Sequence, residues 1–180
     1  MPCAAAFKAA GASAEQGGSL DDVARVATRT AERTRSIGVA LSPCLIPGAA
    51  APGFAVPEGG IEIGMGIHGE PGVERRELMS ADDVARAMTQ RLLDDRGNEA
   101  GHRVAVLVNS LGATPLEELL IVYRTTQRVL DDAGLDIVMR HVGHCATSME
   151  MAGCSISLVD LDTELEGLLA QPTGCPFWPR

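Results

Sequence analysis

Short apolar runs alternate with amphipathic, polar-capped helices along this chain, and no other feature of the sequence constrains its fold as strongly. The run RVAVLV at residues 103–108 is the clearest buried strand, because it is short, apolar and rich in valine. Other predicted strands lie at residues 36–41, 61–67, 135–142 and 155–159. Strands that alternate with amphipathic helices are typical of an α/β fold, so we expect a mixed sheet of about five strands with helices packed on its faces.

Several helix boundaries are marked by side chains that can hydrogen-bond free backbone amides. Ser19 and Ser80 each precede aspartates and an apolar helical stripe, as expected of an N-cap residue. Thr114 and Pro115 are predicted to be the N-cap and the first helical residue of a helix that stops before Gly134. The predicted helices span residues 2–16, 19–35, 80–93, 114–133, 147–151 and 163–170.

The length and composition of the chain disfavour several classes of function. Its 180 residues suit one domain of ordinary size, so residues 1–180 are interpreted as a single domain. A formal net charge of -9 and an aromatic content of 3% argue against binding to nucleic acid or to an anionic membrane. The five cysteines lack CxxC spacing, and neither a signal peptide nor a membrane-spanning run is predicted. A cytoplasmic location with reduced thiols is therefore expected.

Residues 61–76, IEIGMGIHGEPGVERR, contain the most reactive candidate side chain. Apolar residues alternate with glutamate and glycine as far as residue 67, which predicts a half-buried strand. The pattern ends at His68, where glycines and a proline let the backbone approach a ligand closely. An imidazole has an ordinary pKa of about 6.5, and its neutral form is a nucleophile that can add to a ketone. A lone histidine at a strand end is, however, more often structural than catalytic.

Three sequence runs carry a resemblance to a known family. The run GMGIHGEPGVERR resembles the signature of the substrate-binding subunit of dihydroxyacetone kinases, and SIGVAL and VNSLGATPLEEL are similar to further runs of that family in the same order. A fourth run, ATSMEMAGCSISL, is a weaker match. The family's subunit is about twice as long, and its glycine-rich substrate-contacting run with a second histidine has no counterpart in these 180 residues. The resemblance therefore extends to the carboxyl-terminal half of the subunit alone.

The resemblance implies a covalent role for His68, whose imidazole would form a hemiaminal with the ketone carbon of the substrate. Such an adduct would distinguish a small keto-sugar from glycerol, which has no carbonyl. Gly66, Gly69 and Glu70 are the other implied substrate-site residues. Glu70 would either orient the imidazole by accepting a hydrogen bond or accept backbone N–H groups that close the glycine-rich turn, and the sequence does not decide between these roles.

The resemblance also implies partners. No cofactor is expected on this chain, because in the family the phosphoryl donor, ATP or a phosphohistidine, is carried by a separate subunit or domain. The expected partners are dihydroxyacetone or a related keto-sugar, the amino-terminal half of the subunit, the donor subunit and a second copy in a homodimer. Alone, the chain is expected to have no kinase activity. The alternative is a non-catalytic keto-sugar sensor or regulator.

Two other patterns in the sequence do not support a metal or nucleotide site. His141, His144 and Cys145 have a spacing found in some metal sites, but a zinc site needs three or four ligands and no further candidate pair is present. No metal is predicted. The family tends to have tyrosine where this chain has Cys145, so any role of that tyrosine does not carry over. Residues 110–115 form a strand–loop–helix junction without the glycine-rich lysine motif of a nucleotide site.

Overall fold

A computed structural model of the chain describes residues 2–45, 47–48, 50–52, 54–66, 72–97, 101–175 and 178. Its helices are α1 (Pro2–Glu15), α2 (Leu20–Glu32), α3 (Ala81–Asp94), α4 (Leu116–Asp132) and α5 (Thr163–Leu169). Its strands are β1 (Thr34–Ala40), β2 (Gly60–Ile63), β3 (Glu74–Glu77), β4 (Arg103–Ser110), β5 (Asp136–Gly143) and β6 (Gly153–Asp160). None of the helices in these ranges is both long and apolar enough to cross a membrane.

The strands form one mixed sheet in the order β3-β2-β1-β6-β4-β5. Only β4 and β5 pair in parallel, and the other neighbours are antiparallel. The α/β class with a mixed sheet is therefore confirmed, with one strand more than the sequence indicated. The additional strand is β3, whose sequence ERRE has no apolar position, so it could not be identified by hydrophobic alternation. It exists because it closes a hairpin with β2 at the edge of the sheet, where charged side chains remain in water.

Helices cover both faces of the sheet. On one face, α3 and α4 pack against apolar side chains of the central strands, as in the contact group of Met88, Val106 and Ile156. On the opposite face, α1, α2 and α5 pack against the alternate side chains, represented by Leu107 and Leu165. Burial of apolar side chains on both faces is the main contribution to the stability of such a layered fold.

The helix starts follow the predicted caps in two cases and depart from them in a third. The Ser19 and Ser80 side chains each accept a hydrogen bond from the backbone amide three residues later, which confirms both caps. At α4 the N-cap position is held by Pro115, without a side-chain hydrogen bond, so the predicted capping role of Thr114 is wrong. The Thr114 hydroxyl instead donates to the carbonyl of Gly153 and accepts from its amide, both at 2.8 Å.

Thr114→Val is expected to lower the free energy of unfolding by about 2 kcal/mol, because the buried amide of Gly153 loses its acceptor. Urea denaturation of the full chain measures the change. The exposed Thr163, at the start of α5, offers a matched control, and Thr163→Val should change stability by less than about 0.5 kcal/mol. Equal midpoints for wild type and Thr114→Val would contradict the assigned role of the hydroxyl.

Two other segments differ from the predicted elements. The short helix expected at residues 147–151 is absent: Met149 has a positive φ of 52°, and Met151 forms an isolated bridge with Gly112. A helix cannot include a residue in that conformation. Strand β2 ends at Ile63 instead of continuing to residue 67, because Gly64 has a φ of 88° and turns the chain out of the strand.

Candidate functional site

Of the predicted site residues, Gly66 is described, and His68, Gly69 and Glu70 lie outside the described residues. All four belong to the connection between β2 and β3, residues 64–73, which we call the hairpin segment. Its two ends are described on both sides of His68, and their contacts define where the hairpin segment starts and where it returns to the sheet.

The first end of the hairpin segment crosses over β1. The Gly64 amide donates a 2.7 Å hydrogen bond to the carbonyl of Gly38, and the Met65 carbonyl lies directly over Gly38. A Cβ atom at position 38 would overlap that carbonyl oxygen, so only glycine leaves room for the crossing. The SIGVAL run and the histidine-bearing run, which are separate in sequence, are therefore in contact through Gly38.

The other end of the hairpin segment is held against β2. The Val73 amide donates to the carbonyl of Ile63 at 2.8 Å, and the Gly72 amide donates to Glu62 Oε1 at 2.7 Å. A Cβ atom on Gly72 would lie 2.5 Å from Glu62 Cγ and 2.7 Å from the Ile63 carbonyl oxygen, so position 72 also requires glycine. Glu62, which the strand pattern places on a solvent-facing side, is only 2% exposed.

Asn109, at the end of β4, connects the other two runs that carry the resemblance. Its Oδ1 accepts hydrogen bonds from the amides of Cys145 at 2.7 Å and Ala146 at 3.0 Å, and its Nδ2 donates to the Ala146 carbonyl at 2.8 Å. The side chain is 1% exposed, so these bonds satisfy an amide group that is removed from water. Sequence reasoning missed Asn109, although an asparagine directly after an apolar strand was an available signal.

A small apolar cluster joins these segments at one end of the sheet. Met65, from the hairpin segment, packs in it with residues that end or follow β1, follow β4 and precede β6. Its buried members are Ala40, Cys44, Met65, Leu111 and Met151, with Phe54 and Val56 packed against them. Met65, three residues before His68 in the sequence, is therefore supported by packed side chains from three other parts of the chain.

An open cleft of about 1150 Å³ lies between the hairpin and α3. Gly64 and Val73, the two ends of the hairpin segment, line it together with Arg76 and Arg91. Glu74 accepts two hydrogen bonds from Arg76, which hold the pKa of this partly exposed carboxyl below its usual value. Pockets that enclose drug-sized ligands measure about 300–1000 Å³. The cleft is too large and open to enclose a sugar of three or four carbons by shape alone.

The histidine–cysteine run at residues 141–145 has different surroundings. The His141 ring stacks on Trp178, with centroids 5.4 Å apart and an angle of 5° between the planes, and burial lowers the pKa of His141. Burial raises the pKa of Cys145 to about 11, so this thiol stays protonated at neutral pH. Within the described residues, no three side chains of histidine, cysteine, aspartate or glutamate are grouped so that they could hold a metal ion.

The lowered pKa of His141 predicts a loss of stability in mild acid. Because the unfolded imidazole titrates near 6.5 and the folded one below it, protons bind the unfolded chain first as the pH falls below 6.5. Urea midpoints measured from about pH 7.5 to about pH 5.5 should decline. His141→Gln should reduce the decline, and replacing the exposed His102 by glutamine should not. An identical decline in His141→Gln and wild type would contradict the assignment.

Comparison with known proteins gives consistent matches over almost the whole chain. The family model described as the Dak1 domain matches residues 3–177. D-erythrulose kinase of Mycolicibacterium smegmatis is 43% identical over 97% of the chain, which spans 30% of that enzyme. The dihydroxyacetone-binding subunit of PTS-dependent dihydroxyacetone kinase 2 from Listeria innocua is 41% identical over 96% of the chain and 52% of the subunit.

Solved structures give the same result. The dihydroxyacetone kinase operon co-activator Dha-DhaQ superimposes with a TM-score of 0.85 at 30% identity, over 97% of this chain and 54% of that protein. The chain thus spans between 30% and 54% of the length of these three proteins.

Proposed function

Because the chain belongs to the Dak1 domain family, we propose that it is the ketone-holding part of a keto-sugar kinase, equivalent to the carboxyl-terminal half of a dihydroxyacetone-binding subunit. The observation that carries the proposal is the match of residues 3–177 to the family. The substrate class is a short keto-sugar such as dihydroxyacetone or erythrulose, the ketoses named in the matched kinases. A cytoplasmic location is part of the proposal.

In this proposal His68 is the nucleophile. A ring nitrogen of the neutral imidazole adds to the ketone carbon, so that a C–N bond forms and the carbonyl π bond breaks. The proton of the other ring nitrogen leaves and the former carbonyl oxygen gains a proton, which gives a neutral hemiaminal. Glu70 either accepts the hydrogen bond of that second nitrogen or closes the turn. Gly66 and Gly69 allow close approach of the backbone.

Covalent capture would compensate for the openness of the cleft that the two ends of the hairpin segment line. A small polyol in an open, solvated cleft gains little from burial, whereas a bond to His68 fixes both position and orientation. Glycerol has the same hydroxyl groups and no carbonyl, so it would not be captured. Specificity would therefore depend on the reactivity of the ketone and not on how closely the substrate fits the cleft.

The remaining chemistry of phosphoryl transfer requires partners. The amino-terminal half of the subunit is proposed to contribute the groups that activate the substrate hydroxyl, and a donor subunit or domain to deliver the phosphoryl group from ATP or a phosphohistidine. The Listeria relative is named as a subunit of a PTS-dependent kinase. The Mycolicibacterium relative is named a kinase, and the segment that matches this chain is 30% of its length. A homodimer is also proposed. The chain alone would hold ketone without phosphorylating it.

A second candidate function is supported by the structural match to the operon co-activator Dha-DhaQ. A protein of this fold can therefore serve in gene regulation, and this chain would then sense a keto-sugar through His68 without transferring phosphate. Both functions use the same ketone-binding histidine. They differ in whether the bound keto-sugar is phosphorylated.

Reconstitution separates the two functions. The full chain is mixed with the amino-terminal half of the Listeria subunit and its donor proteins, and phosphorylation of dihydroxyacetone is followed by ³¹P NMR. The kinase proposal predicts a sugar phosphate with dihydroxyacetone and none with glycerol. Ketone binding without any phosphate transfer would favour the sensor. Absence of ketone binding under all conditions would contradict both.

A further inference from the structure

Glu62 has an unusual environment for a carboxylate. It lies in β2, opposite Ala40 of β1 and Arg75 of β3, and only 2% of it is exposed. Its neighbours on the strand, Ile61 and Ile63, are equally buried on the other face of the sheet. Burial of a carboxylate costs free energy unless other groups satisfy its oxygens.

The two carboxylate oxygens of Glu62 are used unequally. Oε1 accepts the hydrogen bond from the Gly72 amide at 2.7 Å. Oε2 has no hydrogen-bond partner within the described part of the chain, and it forms a long ion pair with Arg75 Nε at 3.5 Å, on a side chain that is 64% exposed. An apolar side chain of the same size would avoid this cost, since replacing a poorly satisfied buried charge by a hydrophobe is often neutral or stabilising. Packing and stability alone therefore do not account for a glutamate here.

The hydrogen bond from the Gly72 amide explains why position 62 is a glutamate. Gly72 is the first described residue after positions 67–71, and its amide is joined to the sheet by the Glu62 side chain. The adjacent Val73 amide is joined to Ile63, and at the other end the Gly64 amide is joined to Gly38. Without Glu62, the hairpin segment would lose the hydrogen bond that, among the described residues, follows His68 most closely in sequence.

We propose that Glu62 is a positioning residue for ketone capture: its buried carboxylate fixes the hairpin segment at Gly72 and so places His68 for attack. The inference rests on the proposed function of His68. A charged acceptor makes a stronger hydrogen bond to a backbone amide than a neutral one does. Near-attack geometry is sensitive to displacements of about 1 Å, so a strong bond four residues after the nucleophile in the sequence would have a large effect on capture.

Two replacements of Glu62 with side chains of nearly the same size test its role as hydrogen-bond acceptor. Glu62→Met fills the same buried space without accepting a hydrogen bond, and Glu62→Gln retains a carbonyl oxygen for the Gly72 amide. Glu77→Ala, on the exposed edge of the same hairpin, is the matched control. Each variant is made in the full chain and compared by thermal unfolding, backbone amide hydrogen exchange and binding of C2-labelled dihydroxyacetone.

Glu62→Met is expected to accelerate hydrogen exchange of the Gly72 amide and to weaken ketone capture by about tenfold or more, while the melting temperature is unchanged or higher. Glu62→Gln should restore capture to within about threefold of wild type. Glu77→Ala should behave as wild type in all three measurements.

Hydrogen exchange separates this inference from the proposed function, because it needs no ligand. Unchanged exchange of Gly72 in Glu62→Met overturns the positioning role, and so does faster exchange with undiminished ketone capture. If wild type captures no ketone in any condition, the proposed function of His68 is contradicted and the catalytic part of the positioning role falls with it.

Discussion

His68→Ala is expected to reduce capture of dihydroxyacetone by this chain by about a hundredfold or more, because it removes the nucleophile that would form the hemiaminal. Without the covalent bond, non-covalent contacts would hold so small a polyol only weakly. In ¹³C NMR of dihydroxyacetone labelled at C2, wild type should show a protein-dependent signal of a tetrahedral carbon, and the variant should show the free ketone and its hydrate alone.

The exposed His144 provides the control for His68. His144→Ala removes an imidazole from the same chain and should retain the tetrahedral signal. Labelled glycerol should give no protein-dependent signal with any variant, because it has no carbonyl carbon to attack. Retention of the tetrahedral signal in His68→Ala would contradict the covalent role.

Gly38→Ala is expected to lower the free energy of unfolding by about 3 kcal/mol and to weaken ketone capture as well. The added Cβ atom would overlap the Met65 carbonyl oxygen, and no rotamer change relieves the overlap, because the backbone fixes the position of a Cβ atom and the oxygen is itself a backbone atom. Either β1 is displaced from its pairing with β6, or the hairpin segment is displaced from the sheet. Urea denaturation measures the first consequence, and titration with labelled dihydroxyacetone measures the second.

Gly11→Ala is the matched control for Gly38→Ala. Gly11 lies within α1, where an added Cβ atom has no neighbour within 4 Å, so alanine should be neutral or stabilising by up to about 1 kcal/mol. A Gly38→Ala variant with the stability and ketone affinity of wild type would show that the crossing of Met65 over β1 has been misassigned.

The parts of the fold that were predictable from sequence are those determined by local patterns. Strand β4 is a short apolar run, and the caps at Ser19 and Ser80 need only residues within one helical turn. Strand β3 was not predictable, because charged residues form it through pairing with β2. The role of Thr114 depends on Gly153, which is 39 residues away in the chain.

The candidate site likewise contains residues that a local sequence pattern predicts and residues that it does not. The family resemblance identified Gly66, His68, Gly69 and Glu70 from a contiguous run, and the family is confirmed by the match to residues 3–177, whereas the roles of these residues remain proposals. Glu62 was misjudged because strand alternation predicts a buried and an exposed face, and here both faces are covered. Gly38 and Asn109 act through contacts with distant segments that no local pattern reveals.

The central claim is that His68 bonds covalently to the ketone carbon of a short keto-sugar. Its most direct test is a crystal structure of the full chain soaked with dihydroxyacetone, with the amino-terminal half of a related subunit supplied if the chain alone binds too weakly. The account predicts continuous electron density between a ring nitrogen of His68 and a tetrahedral C2 atom, and none in His68→Ala crystals. Density for an intact, planar ketone that lies beside an unmodified imidazole would contradict it.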